Sequence, residues 1–310
     1  MLQYLIILLQ DNSVSYCHYE NKLDSQNLIS FQKLKEGILF AMKHNLRIQF
    51  VYPPNNLPAE YLGLINSVYH TDVKGVSHGS SDVYVINGFE DIPEVIKRQP
   101  YVFRVCKRDL FSHYQDLSNL VTESEKLSIA ITDVETFNDN DLEKYKVILN
   151  NFFIPIIISS YIHGGKPQLN VLTDRIFLES MNNCNAGSTN ITLAPDGQFY
   201  ICPAFYYAGM ESLGDVNQVD IEIPNKYLYS LKHAPLCRKC DAYQCKRCIW
   251  LNERMTLEVN TPSREQCTVA HIERNASRKL LLELQNYFPF LLEKCINEID
   301  YIDPFEIKES

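Results

Sequence analysis

The chain has 310 residues, of which 45% are hydrophobic and 22% are charged, and its formal net charge is -9 at pH 7. This length and composition can fill a large core in two subdomains, and the acidic balance argues against nucleic acid or a membrane as partner, because an anionic partner requires an extended basic face. Ten cysteines, with no basic and cleavable leader in front of them, predict a reducing, cytoplasmic location where thiols stay free for metal.

The first part of the sequence combines strand and helix patterns. Short apolar runs bounded by turn residues predict strands, and apolar residues at three- and four-residue steps predict helices. Asn45 is suited to end the first helix, and Pro58 to begin the second. The predicted elements are strands at 4–9 and 13–19, a helix at 31–42, a strand at 46–52, a helix from 58, and a strand at 82–87 after a polar loop.

The same alternation continues to residue 180. Strands that are rich in valine and isoleucine and separated by helices are typical of a parallel sheet that is covered on both faces. The fold class predicted for residues 1–180 is therefore α/β, as an open parallel sheet or a partial (β/α) barrel. Its later elements are helices at 93–98, 110–120 and 139–152, strands at 101–106 and 127–132, and the apolar run 154–158.

Residues 181–275 form a second predicted domain, which is rich in cysteine and poor in regular structure. It begins with a hairpin in which the turn at 195–197 joins the segments 191–193 and 198–201, and this hairpin brings Cys202 to the end of its second strand. Residues 276–310 are predicted to be a C-terminal helix, whose amphipathic pattern extends over 280–299, and an acidic tail.

Seven of the ten cysteines lie within this second domain. Seven soft ligands exceed what one tetrahedral zinc can use, and an odd number does not suit a disulfide framework. The sequence therefore predicts more than one metal site. The pattern is Cys184, twelve residues, Gly197, four residues, Cys202, a gap of 34 residues, the block Cys237-x2-Cys240-x4-Cys245-x2-Cys248, eighteen residues, and Cys267.

Charge and spacing bear on which metal is bound. The block carries Arg238, Lys239, Lys246 and Arg247 against one acidic residue, Asp241, and such cations stabilise thiolates and an anionic cluster. Zinc ribbons usually separate their two cysteine pairs by a dozen or more residues, whereas four residues separate them here. The spacing favours two iron-sulfur clusters, and one or two zinc ions remain the alternative.

The cysteine pattern resembles the SPASM domain, which is the auxiliary-cluster domain of radical SAM peptide-modifying enzymes. The resemblance implies two [4Fe-4S] clusters, although x4 and x2 stand within the block where that family more often has x5 and x3. One cluster would be held by the three-cysteine set, Cys184, Cys202 and Cys248. The other would be held by the four-cysteine set, Cys237, Cys240, Cys245 and Cys267.

Segments around and before the block are similar to the CXXX repeat peptide maturases, which are related to the grasp-with-SPASM maturases. The resemblance spans nearly the whole chain and implies a role in the modification of ribosomally made peptides. The segments that carry it are 13–19, 49–53, 240–252, 261–267 and 271–278.

Radical SAM enzymes hold their AdoMet cluster on a C-x3-C-x2-C loop after the first strand, and this sequence contains no such motif. Cys17 is the one cysteine near the first strands, and one thiolate cannot hold that cluster. The resemblance therefore implies a degenerate radical SAM core in residues 1–180. AdoMet is not expected as a cofactor, and AdoMet cleavage is not expected as an activity.

Several further residues could be ligands or catalysts but have simpler interpretations. Cys17 and His18 would point to opposite faces of a strand, so Cys17 is interpreted as a packed strand residue, as are Cys106 and Cys295 in their elements. His163, His233 and His271 could complete the three-cysteine set, but a histidine near a cluster more often supports a ligand than acts as one.

Two functions remain open, and no catalytic residue is assigned. The first is maturation of a ribosomally made, cysteine-containing precursor peptide, with the clusters serving redox chemistry or binding of a substrate thiolate. An electron donor or a partner modifying enzyme would take part. The second is a non-catalytic module that binds a peptide or a partner enzyme and uses its metal as a structural staple.

Overall fold

The computed structural model describes residues 2–21, 23, 25–77, 79–181, 184–218, 221–299 and 301–305. The strands are β1 (Tyr4–Leu8), β2 (Arg47–Val51), β3 (His70–Gly75), β4 (Val83–Asn87), β5 (Pro100–Val105), β6 (Lys126–Ile131), β7 (Asn190–Leu193), β8 (Gln198–Tyr200) and β9 (Gly214–Asp215). They are hydrogen-bonded in the order β6-β5-β4-β3-β2-β1-β7-β8-β9. The predicted α/β class with a mostly parallel sheet is confirmed.

Helices precede or follow most of these strands. They are α1 (Phe31–Lys43), α2 (Ala59–Ile65), α3 (Lys107–His113), α4 (Ser118–Glu123), α5 (Asp139–Ile148), α6 (Ile154–Ile162), α7 (Asn170–Phe177), α8 (Pro203–Tyr207), α9 (Ile249–Thr256) and α10 (Arg264–Gln285). By its contacts the chain divides into two compact units. Unit 1 is Met1–Val85 with Asn185–His233, and unit 2 is Ile86–Cys184 with Ala234–Ser310.

Unit 1 is built around β1, which pairs in parallel with β2 on one side and with β7 on the other. Its apolar residues from Leu5 to Leu9 are almost fully buried, as expected for a parallel strand covered on both faces. β7 turns into β8 through Gly197, whose φ of +81 is a conformation that glycine adopts without strain. The predicted hairpin is therefore present.

The helix α1 shows how local sequence sets the elements of unit 1. The Ser30 side chain accepts a hydrogen bond from the backbone N–H of Lys33 and begins the helix. Leu34, Ile38 and Ala41 then recur on one face and are buried. Asn45, with φ of +53, follows the helix and turns the chain toward β2.

Unit 2 contains the parallel pair β5 and β6 and a group of helices in which α10 packs along α7 and also contacts α5 and α6. α5 and α6 form one continuous helix, Asp139–Ile162, with a π-helical segment at Leu149–Phe153. That segment lies directly before Pro155, where the proline lacks an N–H for the helix. The predicted helix thus continues through the run 154–158.

The helix Asp139–Ile162 is, within the described part of the chain, the one helix long and apolar enough to cross a membrane by length and composition. A core helix of a globular protein passes the same test. Its residues Leu142, Tyr145, Phe153 and Ile157 are buried within unit 2. These contacts assign it to the core of that unit.

Three elements differ from the sequence-based expectation. Residues 13–19 do not form a strand, because Ser13 and Ser15 bond to backbone groups and organise a loop instead. Residues 93–98 form bends rather than a helix. β3 was missed because its sequence is polar and only Val73 in it is buried, so the strand carries no apolar alternation.

The C-terminal helix begins at Arg264, earlier than predicted, and ends at Gln285. Cys267 therefore lies within this helix, while Cys295 lies beyond it and is exposed. Asp300 and the acidic tail at 306–310 lie outside the described residues. The domain boundaries predicted at 180 and 275 stay a prediction, and the contact units follow a different division of the chain.

Candidate metal centre

The four-cysteine set is positioned by a short irregular segment and by the start of one helix, all within unit 2. Cys237 begins a single 3-10 turn, and the N–H of Cys240 closes that turn on the Cys237 carbonyl at 3.1 Å. Cys245 closes a second turn on the Ala242 carbonyl at 3.0 Å. Cys267 lies in the first turn of α10, whose N-cap is Ser263. Compact turns thus direct several sulfurs toward one helix end.

The four thiols of this set interact electrostatically with one another. Burial is the main cause that raises the pKa of the Cys237 thiol to about 11, while the charge of Arg247 opposes this rise and the charge of Cys240 adds to it. Burial also raises the pKa of Cys245 to about 12, with added repulsion from Cys237 and Cys240. The pKa of Cys267 rises above its usual range for the same reason, with all three other thiols contributing.

Because thiols of the set raise the pKa of neighbouring thiols, the set has a distinct response to metal. One buried and three partly buried thiols that disfavour one another's ionisation favour the protonated form unless a cation joins them. Metal binding releases those protons, since thiolate is the ligand form. The set is therefore a group of four soft donors whose ionisation depends on a bound cation.

Two sulfurs of the set also accept backbone hydrogen bonds. The N–H of Ala242 donates to Cys240 Sγ at 3.5 Å, and the N–H of Arg247 donates to Cys245 Sγ at 3.4 Å. In both cases the donor lies two residues after the cysteine. Such bonds favour the thiolate, and they are one means by which a protein tunes a sulfur-ligated cluster.

A carboxylate clamped by two arginines fixes the segment between the cysteines. Arg274 of α10, 1% exposed, donates to both Asp241 oxygens, at 3.0 and 2.8 Å. Arg175 of α7 donates to the same carboxylate at 2.7 Å and lies 4.4 Å from the ring of Tyr243. Burial opposes ionisation of Asp241, but the two guanidinium groups outweigh it and hold its pKa below the usual range.

His271, one turn after Cys267 on α10, faces Cys240, with 3.6 Å between Nε2 and Sγ. Its Nδ1 contacts the Ile302 carbonyl oxygen, which can only accept, so the hydrogen-bond network assigns the proton to Nδ1. Burial is the main cause that lowers the His271 pKa, which favours the neutral ring. The ring therefore presents a lone pair to the sulfur.

A second carboxylate, Glu273, lies fully inside unit 2 close to the cysteine segment. Tyr145 OH donates to one of its oxygens at 2.8 Å, and the Gln244 amide donates to the other at 3.4 Å. The Gln244 amide also donates to the Ala270 carbonyl at 2.6 Å. Burial raises the pKa of Glu273 to about 7. Gln244 directly precedes Cys245, and its side chain thereby ties this position of the cysteine segment to α10.

The three-cysteine set is distributed over both units. Cys248 forms the N-cap of α9, and its N–H donates to Gln266 Oε1 at 3.1 Å. Cys184 ends the first segment of unit 2, and Cys202 is the N-cap of α8 in unit 1. Each has interactions within the structure. A cluster held by these three residues stays a prediction.

The donor chemistry can be compared with the metals considered. Among the described residues, no three His, Cys, Asp or Glu side chains gather closely enough to hold a single metal ion. A zinc with sulfur ligands at about 2.3 Å would draw those sulfurs to within about 4 Å of one another. A [4Fe-4S] cluster spaces its thiolates more widely, because its irons and sulfides lie between them. Four cysteine donors next to buried arginines fit such an anionic group in their chemistry, and they fit a zinc with four thiolates as well.

Other candidate residues of the sequence have local partners or exposed positions. The exposed His163 is the C-cap of α6 and contacts the Ser159 carbonyl at 2.7 Å, while His233 contacts the ring of Tyr227 in unit 1. Cys17 lies in the loop after β1, not in a strand. Cys106 follows β5 and donates to Asp109 at 3.2 Å. His271 faces Cys240, which belongs to the four-cysteine set and not to the three-cysteine set that these histidines were expected to complete.

Sequence reasoning missed the residues that hold the cysteine segment from outside it. Arg175 lies more than sixty positions before Asp241, so no local pattern connects them. A signal did exist on α10, where Cys267, His271 and Arg274 recur at steps of four and three and so share one helical face.

No family model matches the chain, and no curated protein sequence matches it either. Among solved structures it is similar to native anSMEcpe with bound AdoMet and Cp18Cys peptide, with a TM-score of 0.57 and 11% sequence identity. The match covers 93% of this chain and 99% of that chain. At this identity the match establishes the α/β fold, which extends over nearly the full length of both proteins.

Proposed function

We propose that this protein takes part in the maturation of a ribosomally made, cysteine-containing peptide, with iron-sulfur clusters held by its cysteines. The observation that carries the proposal is the four-cysteine set, in which one buried and three partly buried thiols interact electrostatically with one another beside two arginines. The fold shared with anSMEcpe, whose structure contains AdoMet and a peptide, supports a peptide substrate. The resemblance to the CXXX repeat peptide maturases gives the finer assignment.

In this proposal Cys237, Cys240, Cys245 and Cys267 hold one [4Fe-4S] cluster, while Cys184, Cys202 and Cys248 hold a second one. A cluster held by the three thiolates of Cys184, Cys202 and Cys248 would leave one iron to bind a substrate thiolate, and both clusters would supply electron transfer. The chain itself contributes the N–H donors to the sulfurs and the buried cations. AdoMet is not included, because no C-x3-C-x2-C motif is present.

The missing AdoMet motif also favours a second candidate. Here the chain is a binding module for a peptide or a partner enzyme, and the metal only stabilises an irregular domain. Both candidates place the protein in a reducing compartment such as the cytoplasm, where its cysteines remain reduced. They differ in whether the bound metal is redox-active.

Metal analysis separates the two candidates. The protein would be purified without oxygen, and iron, sulfide and zinc would be measured for the wild type, Cys267→Ser and, as a matched control, Cys295→Ser. Two clusters predict about eight iron atoms per chain, a loss of about half in Cys267→Ser, and no loss in Cys295→Ser, since Cys295 is exposed and outside the set. Zinc in place of iron supports the structural module, and a metal-free wild type contradicts both.

Binding of a peptide would be tested with a synthetic probe of Cys-x-x-x repeats and a counterpart with serine at each cysteine. The proposal predicts tighter binding of the cysteine peptide, measured by titration calorimetry under anaerobic conditions, because an open iron coordinates a thiolate and not a serine hydroxyl. Equal affinity for both peptides would contradict a thiolate-binding role. The thiolate-binding role would also be contradicted if metal-free protein still bound the cysteine peptide more tightly than the serine peptide.

A further inference from the structure

We propose that Arg247 is the positioning residue that orients Cys245 through its backbone and supplies the buried positive charge that sets the reduction potential of the cluster held by the four-cysteine set. The inference rests on the proposed function, because it requires that this set hold a redox-active cluster. It goes further by assigning to one side chain a role in tuning that cluster.

The backbone of Arg247 is in an unusual conformation. Its φ of +45 lies in the left-handed region, which residues other than glycine and asparagine rarely adopt. This conformation accompanies the hydrogen bond from its N–H to Cys245 Sγ at 3.4 Å. A glycine would adopt the turn without strain, so the presence of arginine indicates that its side chain has a use there.

The guanidinium group of Arg247 is buried. The residue is 4% exposed, whereas Arg238, in the same cysteine block, is exposed. The backbone N–H of Arg247 lies 3.4 Å from Cys245 Sγ, so the buried guanidinium group lies within one side-chain length of that sulfur, and its charge also interacts with Cys237. A long, flexible cation is thus kept beside the thiols, away from solvent, at a cost in solvation.

Other cations near the set add to this charge. Arg274 and Arg175 share the single carboxylate of Asp241, which leaves their side of the set with excess positive charge. The buried carboxyl group of Glu273 lies close to Cys245 and opposes this excess in part. Thiolate ligands and added electrons are negative, so an excess of buried arginine matches their charge.

The direction of the effect follows from electrostatics. One-electron reduction adds one negative charge to the cluster, taken from an external low-potential reductant, with no bond to the protein made or broken. A buried cation stabilises the reduced form more than the oxidised form, and low local dielectric strengthens that preference. Removal of the Arg247 charge should therefore make reduction harder.

Three substitutions at position 247 separate the effect of the side-chain charge from the effect of the backbone conformation. Arg247→Gln removes the charge, Arg247→Gly removes it and relieves the left-handed backbone, and Arg247→Lys keeps it. Arg238→Gln is the matched control, because it removes an exposed charge from the same segment. The midpoint potential of the cluster would be measured by a dithionite titration followed by optical and EPR spectroscopy, together with iron content.

We expect a more negative midpoint in Arg247→Gln and Arg247→Gly at unchanged iron content, and a near-native midpoint in Arg247→Lys and Arg238→Gln. An unchanged midpoint in a fully loaded Arg247→Gln or Arg247→Gly protein overturns the inference while the proposed function stands. Loss of iron in every Arg247 variant, including Arg247→Lys, shows a purely structural role and also overturns it. A wild type without redox-active iron overturns the proposed function and this inference together.

Discussion

Two irregular segments of this protein are each organised by an aspartate carboxylate, which is buried for Asp11 and partly exposed for Asp241, and the partners of the two carboxylates differ. In the loop after β1, the hydrogen bonds that Asp11 accepts within the described part of the chain come from neutral groups: the Asn27 backbone and amide, at 3.0 and 2.9 Å, and Tyr206 OH, at 2.6 Å. In the cysteine segment, Asp241 is instead held by the guanidinium groups of Arg175 and Arg274.

The different partners of the two carboxylates correspond to the different numbers of cysteines in the two segments. The loop of Asp11 has one cysteine, Cys17, whereas the segment of Asp241 has four coupled thiols around it. Neutral donors are enough to satisfy a carboxylate that only organises a loop. Two arginines exceed that need, and their surplus charge suits the anionic cluster that we propose for this segment. Asp11 thus organises a loop, whereas Asp241 lies beside the proposed metal site.

The largest expected effect comes from the arginine clamp. Arg274→Ala leaves Asp241 without its main partner and removes a fully buried side chain, and we expect a loss of about 3 kcal/mol in the free energy of unfolding. Urea denaturation would measure it. Arg278→Ala on the same helix is the control, because its pair with Glu298 is exposed and should contribute at most about 1 kcal/mol. Similar losses in the two variants would contradict the clamp.

Asp11→Ala should have a smaller effect of a different kind. It leaves the donors of Asn27 and Tyr206 without their acceptor, with an expected loss of about 2 kcal/mol in the free energy of unfolding. The iron of the four-cysteine set should remain, at about four atoms per chain, since Asp11 belongs to unit 1 and that set to unit 2. A fall below that level would remove the distinction between the two carboxylates.

The smallest effect is a dependence of stability on pH. Burial raises the pKa of Glu273 from 4.5 to about 7, so between these values the folded state keeps a proton that the unfolded state has lost. The free energy of unfolding should therefore fall as pH rises from about 5 to 7, by roughly 1 kcal/mol per pH unit at most.

Glu273→Gln has no carboxyl to titrate and should flatten this fall. The check is a series of urea titrations of wild type and variant across that range, with Glu298→Gln as an exposed control. Equal pH dependence in wild type and Glu273→Gln would show that Glu273 does not keep its proton in the folded state.

Much of the fold could be predicted from the sequence because buried parallel strands and amphipathic helices have strong periodic patterns. β1, α1, β2 and the hairpin of β7 and β8 agree with prediction within a residue or two. β3 could not be predicted in this way, because it is polar and depends on backbone pairing with β2 and β4. The segment 13–19 looks like a strand locally, but its serines bond to backbone groups instead.

Of the candidate site, only the sulfur donor atoms could be predicted from the sequence. Spacing and resemblance grouped Cys237, Cys240, Cys245 and Cys267, and the structure couples the same four thiols, while cluster binding by them stays a prediction. Their supports could not be predicted, since Arg175 and Tyr145 come from distant helices. Such contacts depend on tertiary packing, which local sequence does not encode.

The helix α10 restricts how the sequence can vary. Cys267, His271 and Arg274 face one segment because they lie four and three residues apart, and each added residue rotates the remainder of the helix by about 100°. An insertion or deletion of one residue between Cys267 and Arg274 would turn the imidazole or the guanidinium away from its partner. Length changes in related proteins should therefore fall before Ser263 or after Ser277, not between these positions.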